Sequence, residues 1–380
     1  MSSTRRNATA PLVVHVAPYF PPHVGGMENV AKTIAEALAE IRPVEVLTSR
    51  SRAPRPLRVE RYKHLVVHRL FTVEFAHLPF MPTLLFHLLR LPRRAIVHVH
   101  VAQAYVPEMV WLASVLRRRP YIAHFHLDVE PSGPFGRVFV AYKKLVLGAV
   151  LRSAARVIAV SPDQPEFLRR THRVPRDNIV LVPNGVAEDF FCAPGSLPER
   201  GERRPEGDLF RLLFVGRLAP QKNVSLLLQA VASVSALVEL VIVGDGEERR
   251  LLERLAASLG LENVRMVGAV VGDELVGWYR WADAFVLTSR KESTGLVLLE
   301  AMAAGVPVVA TAAPGVVDTV SDAGLLTPPD AAAVAAAIER LAADPALRRE
   351  LASRGGARAR QQSWTRSLEL LKDVYEDVAA

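Results

Sequence analysis

The sequence predicts an α/β protein built from two Rossmann-like, doubly wound domains. Two observations lead to this expectation. Short apolar runs rich in β-branched residues alternate with helical patterns, and the alternation occurs twice along the 380 residues. A chain of this length also exceeds what one hydrophobic core usually supports. We assign 1–192 and a returning segment, 363–380, to the first domain and 209–362 to the second.

Each predicted strand is a brief, mostly continuous apolar run, as in a parallel sheet that is buried on both faces. In the first domain these runs are Leu12–Val16, Val44–Thr48, Leu65–Leu70, Ala95–Val99, Tyr121–Phe125, Val157–Val160 and Ile179–Val182, and in the second they are Leu212–Val215, Leu240–Val243, Val264–Val267, Ala284–Leu287 and Val306–Ala310. The predicted helices include Met27–Ala39, Tyr142–Leu151, Val224–Val234, Glu247–Leu259, Leu296–Ala304, Ala331–Ala342 and an amphipathic last helix, Ser363–Val378. Residues 193–208, rich in proline, glycine and charge, are predicted as an exposed linker.

The composition narrows the class of partner and the compartment. The net charge is +8, but the basic residues are scattered and no aromatic-basic platform is present, so nucleic acid is not expected as a partner. A phosphate-bearing substrate or an anionic membrane face accounts for the charge equally well. The single cysteine, Cys192, excludes an internal disulfide, and no signal peptide is visible, so we expect a cytoplasmic protein.

Two adjacent glycines, Gly25 and Gly26, open a helix directly after the first predicted strand. Glycine allows close approach of the backbone to a ligand, and a helix N-terminus favours anions. The spacing is not that of the GxGxxG fingerprint, so a dinucleotide is not indicated. The alternative is a tight strand–helix turn without a ligand.

Two cations, Arg217 and Lys222, flank a proline-containing turn after the first strand of the second domain. Ligands of open parallel sheets bind outside the carboxyl ends of the strands. There, the two side chains could hold a diphosphate and stabilise a leaving nucleotide as negative charge develops. The alternative is a pair of solvated surface cations.

A helix start follows the strand that ends near Leu287. We expect Ser293 or Thr294 to cap this helix and Gly305 to end it. The free amides around Gly295 and Leu296 would suit phosphate or sugar oxygens.

Two carboxylates accompany that helix start. Glu300 lies one turn after Leu296 and Val297 and therefore on the same helix face, and Glu292 precedes the helix. The two carboxylates and the amides could bind a polyhydroxylated ligand. Glu300 is flanked by apolar residues, so its charge requires a partner.

Two histidines, His124 and His126, end a strand of the first domain. We expect their rings to point to opposite faces of the sheet. On this expectation His124 is hydrogen-bonded in the core and His126 reaches the ligand site.

Together these stretches resemble retaining glycosyltransferase family four, which has the GT-B fold. That fold places two Rossmann-like domains across a cleft, with a final helix that crosses back to the first domain. The resemblance covers nearly the whole chain, and besides the residues above it rests on the Val160-Ser161 strand end, Pro183-Asn184-Gly185-Val186, Gly244-Asp245-Gly246, Ala282–Leu287 and Ala304–Ala310.

The resemblance implies a role for each site residue. Glu300 would bind the ribose hydroxyls, and Glu292 would bind the transferred sugar beside the amides of Gly295, Leu296 and Val297. Arg217 and Lys222 would bind the diphosphate. The base would lie near Arg265–Val267, against Met266 and Val267. Gly25 and Gly26 would let the first domain close over the phosphates, and His126 would lie near the C6 hydroxyl of the sugar and the acceptor. The resemblance further implies front-face substitution, a UDP-sugar as the commonest donor, and no metal or other cofactor. On this basis His126, Glu292, Arg217 and Lys222 are the predicted catalytic residues.

Several alternatives stay open. The acceptor could be a small molecule, a lipid or a glycan, and Tyr62–Arg94 has the mixed basic and apolar composition of a membrane-contacting segment. Asp128 is a candidate acceptor contact. Many relatives have Phe where this chain has Thr294, which leaves the donor sugar open, and the oligomeric state is unspecified. A nucleotide-sugar 2-epimerase and a non-catalytic nucleotide-sugar binding protein are the competing functions.

Overall fold

The computed structural model describes residues 10–23, 25–51, 58–62, 64–75, 78–126, 142–191 and 209–379. The chain forms two compact units, Met1–Pro183 with Leu368–Ala380, and Asn184–Ser367. Cys192, Asp128 and the linker predicted at 193–208 lie outside the described residues. Within the described part of the chain, no helix has both the length and the apolar character needed to cross a membrane.

The first unit is an α/β domain around an eight-stranded sheet. The strands of this unit, including two outside the large sheet, are β1 Val13–Ala17, β2 Val44–Ser49, β3 Val59–Tyr62, β4 Leu65–Leu70, β5 Val73–Phe75, β6 Leu78–Phe80, β7 Ile96–Val101, β8 Tyr121–Phe125, β9 Arg156–Ala159 and β10 Ile179–Leu181. Its helices are α1 Gly26–Ala39, α2 Leu84–Arg90, α3 Val106–Arg117, α4 Gly148–Ser153 and α5 Gln164–His172, with a π-helical turn at Lys143–Leu147 and a 3₁₀ turn at Arg176–Asn178.

The strand order of this sheet is β10-β9-β8-β7-β1-β2-β4-β3, and β5 and β6 form a separate hairpin. All neighbours in the large sheet pair in parallel except β3 and β4. The strand order reverses between β1 and β7, which is where open α/β sheets bind ligands. The loop from β1 into α1 and the loop that follows β7 leave the sheet on either side of this point.

The second unit is a smaller doubly wound domain. Its strands are β11 Phe210–Val215, β12 Val238–Val243, β13 Val264–Gly268, β14 Ala284–Leu287, β15 Val308–Thr311 and β16 Gly324–Thr327. Its helices are α6 Val224–Ala232, α7 Arg249–Ser258, α8 Asp273–Trp281, α9 Leu296–Ala303, α10 Val316–Val320, α11 Ala331–Ala343 and α12 Pro345–Gln361, and 3₁₀ turns lie at Glu188–Phe190 and Pro220–Lys222. The order β13-β12-β11-β14-β15-β16 is parallel throughout and reverses between β11 and β14.

The last helix, α13 Trp364–Ala379, begins in the second unit and ends in the first. Leu371, Val374 and Tyr375 are buried, and Asp377 pairs with Arg156 of β9 at 2.5 Å. The predicted crossing of the final helix to the first domain is therefore confirmed.

Each predicted strand is present with ends that shift by at most two residues. The sequence did not predict β3, the β5–β6 hairpin or β16. The first of these carries an exposed, charged pattern, and β16 is a short edge strand, so neither shows the continuous apolar run of a central strand. The helix predicted at Tyr142–Leu151 is π-helical in its first half and extends to Ser153.

Candidate functional site

The loops that follow β11 and β14 leave the second sheet at its switch point and are hydrogen-bonded to each other. The amide of Arg290 donates to the carbonyl of Gln221 at 2.9 Å, and the Gln221 side-chain amide donates to the carbonyl of Lys291 at 2.7 Å. The hydroxyl of Thr288 donates to the carbonyl of Asn223 at 3.0 Å. The two loops are therefore held together where the sheet offers a ligand crevice.

An ion pair between the same two loops joins two of the predicted site residues. Lys222 Nζ lies 2.5 Å from Glu292 Oε1, and the two side chains are only 17% and 8% exposed. Lys222, predicted to bind phosphate, and Glu292, predicted to bind the sugar, thus neutralise each other's charge where little water reaches them. An ammonium group has three N–H donors, so this contact leaves others for a ligand oxygen.

Arg217 has a different environment. Its guanidinium pairs with Glu247, with Nη2 3.1 Å from Oε2, and both side chains are more than half exposed. Such a pair contributes little to stability and opens at low cost. The structure therefore does not place the two predicted cations in one buried cluster.

Glycines allow the loops after β11 and β12 to pack backbone against backbone. A Cβ at Gly244 would lie 1.9 Å from the carbonyl oxygen of Gly216, and one at Gly246 would lie 2.3 Å from that of Leu218. The amide of Gly216 donates to Val243 at 2.9 Å. Any side chain at these glycines would separate the loop that carries Arg217 and Lys222 from its support.

The start of α9 differs from the prediction. Its N-cap is Gly295 in the left-handed conformation at φ 58, and no side chain caps the helix, so the predicted cap by Ser293 or Thr294 is wrong. The Thr294 hydroxyl instead accepts a hydrogen bond from Asn184 at 3.0 Å and is buried. The predicted stop is confirmed, because the helix ends just before Gly305, which has φ 67.

Glu300 finds its required partner in Tyr279 of α8. The phenol donates to Oε2 of Glu300 at 2.7 Å. Burial raises the pKa of Glu300 to about 7, although the hydrogen bond from Tyr279 acts in the opposite direction. Burial therefore moves the pKa of this carboxyl group into the neutral range. Leu296 and Val297, one turn earlier on the helix, pack partly buried against the core of the unit.

The residues predicted to bind the base, Met266 and Val267, lie on the edge strand β13. Both side chains are partly buried and pack against the core of the second unit. The guanidinium of Arg249 donates to the carbonyl of Met266 at 3.2 Å.

In the first unit, Gly25 and Gly26 open α1 as predicted. A Cβ at Gly25 would lie 2.2 Å from a carboxylate oxygen of Glu28, whereas Gly26 has no atom within 4 Å of such a position. Glu28 is buried and lies 3.0 Å from Nδ1 of His23. The anion at this helix N-terminus is thus a carboxylate of the chain itself.

The expectation that His124 and His126 point to opposite faces is wrong. Their rings stack with centroids 4.3 Å apart, because residues two apart on a strand share a face. Both are buried, and burial lowers the pKa of His126 to about 3. Nε2 of His126 lies 2.9 Å from Nδ1 of His100.

Comparison with known proteins identifies the family. A family model described as Glycosyltransferase Family 4 matches residues 24–190, and one described as Glycosyl transferases group 1 matches residues 198–360. A protein of Kineococcus radiotolerans named D-inositol 3-phosphate glycosyltransferase is 30% identical, over 98% of this chain and 95% of that protein. The chain belongs to glycosyltransferase family 4.

Other relatives match over less than two thirds of their own length. The protein of the same name from Streptomyces bingchenggensis is 32% identical over 292 residues, which cover 70% of this chain and 63% of that protein. The crystal structure of Anabaena Alr3699/HepE in complex with UDP-glucose has a TM-score of 0.76 at 20% identity and covers 96% of this chain and 99% of that one. This likeness confirms the predicted GT-B fold.

The segment Tyr62–Arg94 contains β4, the β5–β6 hairpin and α2. Among the residues that the structure describes there, its large exposed apolar side chains include Tyr62, Phe71, Val73, Phe80 and Phe86. The guanidinium of Arg90 lies 3.5 Å from the centre of the Phe86 ring. The segment thus shows apolar and basic groups together on its surface.

Sequence reasoning missed three features of the sites. Tyr279 lies 21 residues from Glu300, and no local pattern marks it. Asn184 belongs to the Pro183–Val186 motif, but its contact with Thr294, 110 residues away, was not predicted. The third feature is a set of buried histidines around His126, and here a signal was present: His98 and His100, like His124 and His126, alternate along a strand.

The ion pairs Lys222–Glu292 and Arg217–Glu247 are expected to differ in strength. Removal of Lys222 leaves a buried carboxylate without a partner, whereas removal of Arg217 leaves an exposed one. Double-mutant cycles by denaturant unfolding should give a coupling of about 2 kcal/mol for Lys222→Ala with Glu292→Ala, and below about 1 kcal/mol for Arg217→Ala with Glu247→Ala. Equal couplings for the two pairs would contradict the assigned burial.

The titration of Glu300 is expected to lower stability as pH rises. Its pKa is raised from 4.5 to about 7 in the folded state, so the folded state holds a proton that the unfolded state loses across this range. Glu300→Gln, which cannot ionise, should gain about 1–3 kcal/mol relative to wild type between pH 5 and pH 8. Thermal melts at both pH values test this, with exposed Glu274→Gln as the control. A pH-independent difference would show that Glu300 ionises normally.

Proposed function

We propose that this protein is a glycosyltransferase that transfers a hexosyl group from a UDP-sugar to a hydroxyl of a small acceptor, with retention of anomeric configuration. The observation that carries this proposal is the Lys222–Glu292 ion pair at the switch point of the second sheet. Glu292 precedes the start of α9, and Glu300 of the same helix pairs with Tyr279. Cation, carboxylates and free helix amides together match the polar groups of a nucleoside diphosphate sugar. The solved UDP-glucose complex of a protein with the same fold supports this choice of donor.

Glu300 is the proposed ligand of the ribose. An ionised carboxylate only accepts hydrogen bonds and can receive both ribose hydroxyls, whereas its protonated form has less accepting capacity. Because its pKa is about 7, nucleotide affinity should rise as pH increases through neutrality. Tyr279 remains a donor to the same carboxylate and orients it.

Lys222 and Arg217 are the proposed ligands of the diphosphate, in place of a divalent ion. Lys222 can keep its contact with Glu292 and donate further N–H groups to phosphate oxygens. The exposed contact between Arg217 and Glu247 can exchange for a bidentate contact with phosphate. Both charges then stabilise UDP as it leaves.

Retention is proposed to proceed on one face of the sugar. Glu292 is held by Lys222 at 2.5 Å, which suits a hydrogen bond to a sugar hydroxyl rather than attack on the anomeric carbon. In the proposed step the bond from the anomeric carbon to the phosphate oxygen breaks, and a bond to the acceptor oxygen forms on the same face. The acceptor proton passes to the departing phosphate, so UDP is the leaving group and no covalent enzyme intermediate is needed.

A small, phosphorylated polyol is the proposed acceptor. Relatives that match the chain are named D-inositol 3-phosphate glycosyltransferase, and the net charge of +8 suits an anionic substrate. The exposed apolar and basic groups of Tyr62–Arg94 would instead suit a lipid acceptor in a membrane. Flotation of the protein with liposomes would favour that alternative.

Calorimetric titration with UDP, GDP and ADP, with and without EDTA, tests the donor site. We expect UDP to bind in both conditions, and Glu300→Ala to weaken it at least about tenfold, because hydrogen bonds to a charged group are lost. Glu274→Ala, which removes an exposed carboxylate of α8, is the matched control and should bind normally. If no nucleotide binds to wild type, the donor site proposed here does not exist.

Product analysis then separates transfer from the competing functions. With UDP-glucose and inositol 3-phosphate, NMR of the product should show the anomeric configuration of the donor. Inversion would contradict the mechanism. Conversion of the donor without any acceptor would favour an epimerase, and binding without turnover would favour a non-catalytic role.

A further inference from the structure

Five buried histidines line one face of the first sheet at its switch point. They are His15 of β1, His98 and His100 of β7, and His124 and His126 of β8, each at most 5% exposed. The strands are neighbours, and the register pairs His15 with His98 and His100 with His124. We call these five residues the histidine row. Tyr375 of α13 reaches the row from the C-terminal helix.

The histidine row and Tyr375 form one continuous chain of contacts. The links are His124 Nδ1 to His98 Nε2 at 3.1 Å, His98 Nδ1 to the Tyr375 hydroxyl at 2.5 Å, that hydroxyl to His15 Nε2 at 3.4 Å, His15 Nδ1 to His100 Nε2 at 3.0 Å, and His100 Nδ1 to His126 Nε2 at 2.9 Å. Each inner ring therefore uses both of its nitrogens, and each link needs one proton.

The protons of this chain, one on each of the five neutral rings and one on the Tyr375 hydroxyl, exceed the five links by one, so one N–H is left at one end. Burial lowers the pKa of each ring well below 6.5, and neighbouring histidine charges lower those of His98, His100 and His124 further. Every ring is thus neutral at pH 7 and has one donor and one acceptor nitrogen. Such a chain has only two ordered states, in which all links donate toward His126 or all donate away from it.

The far end of the chain decides between these two states. Nε2 of His124 is buried and has no hydrogen-bond partner among the residues that the structure describes. In the state that donates away from His126, this atom would be a buried N–H without an acceptor, which folded proteins avoid more strictly than an unused acceptor. In the state that donates toward His126, Nε2 of His124 carries no proton, and every ring of the row has its proton on Nδ1.

We propose that the histidine row fixes His126 as its Nδ1–H tautomer, so that His126 donates a hydrogen bond to a substrate oxygen. His100, His15 and Tyr375 are then positioning residues that act through His126. The identity of that oxygen, a hydroxyl of the sugar or the acceptor, rests on the proposed function. Because Nε2 of His126 accepts the hydrogen bond from Nδ1–H of His100, it does not take the acceptor proton, which agrees with proton transfer to the leaving phosphate.

A metal ion is the contrasting occupant of the row. Ring nitrogens of His15, His98 and His100, and of His100, His124 and His126, lie within 4.8 Å of one another. A metal would require the lone pairs of three rings to converge on one point. The nitrogens instead face each other in pairs at hydrogen-bonding distance, which favours the proton-ordered chain.

The tautomers can be read directly in the full-length protein without substrate. Long-range ¹H–¹⁵N correlation spectra of histidine-labelled protein distinguish the N–H nitrogen from the bare nitrogen of each ring. We expect a protonated Nδ1 and a bare Nε2 for His126. A proton on Nε2 of His126, a doubly protonated ring at pH 7, or stoichiometric zinc, copper or nickel in metal-free buffer would each overturn the proposal.

Two substitutions on the same strand provide a matched pair. His100→Phe removes the donor to His126, so both tautomers of His126 should become populated and kcat should fall about tenfold, the equivalent of one hydrogen bond. His98→Phe removes an equally buried ring and leaves the Tyr375 hydroxyl with His15 as its one remaining partner in the row, so the hydroxyl should still donate to His15 and the His126 tautomer should not change. A shift of the His126 tautomer in both variants, or in neither, would contradict the proposed order.

His100→Asn provides the rescue, because its amide N–H can replace the Nδ1–H of the ring. We expect the Nδ1–H tautomer of His126 to persist and kcat to stay within about threefold of wild type, well inside the effect of one lost hydrogen bond.

If the phenylalanine variants do not fold, the wild-type spectrum alone decides. If wild type transfers no sugar, the proposed function fails while the spectrum still tests the row. If it transfers sugar but His126 is protonated on Nε2, only the row proposal fails.

Discussion

The ion pair between Lys222 and Glu292 connects the two loops that leave the second sheet at its switch point. The strand order alone places the ends of β11 and β14 side by side, but it does not determine the shape of the loops beyond them. The 2.5 Å contact between Lys222 and Glu292 fixes that shape, because separating two charges in a largely desolvated place is costly. The close backbone contacts at Gly244 and Gly246 support the same loop from the other side.

Burial of titratable side chains is the second constraint, and the two units meet it in different ways. In the second unit, Glu300 lies among apolar neighbours, keeps a phenol as its partner and has a pKa near neutrality. In the first unit, the histidines of the row remain neutral and hydrogen-bond to one another. Both arrangements leave a polar group with a defined donor or acceptor character where a substrate could meet it.

The sequence predicted the central parallel strands well because burial on both faces leaves continuous apolar runs. Edge strands such as β3 lack that signal. The ends of helices depend on backbone conformation, so the left-handed turn at Gly295 replaced the expected side-chain cap by Thr294. Partners far apart in sequence, such as Tyr279 and Glu300, were out of reach of any local pattern. The faces of His124 and His126, in contrast, follow from strand periodicity and were predictable.

Hydrogen–deuterium exchange with and without UDP tests most directly that the donor binds at the switch point of the second sheet. The amides that should become protected are those of residues 216–222 and 288–297, the loops joined by the Lys222–Glu292 pair and the start of α9. We predict slower exchange in both segments at saturating UDP. Protection confined to other parts of the chain would contradict the account.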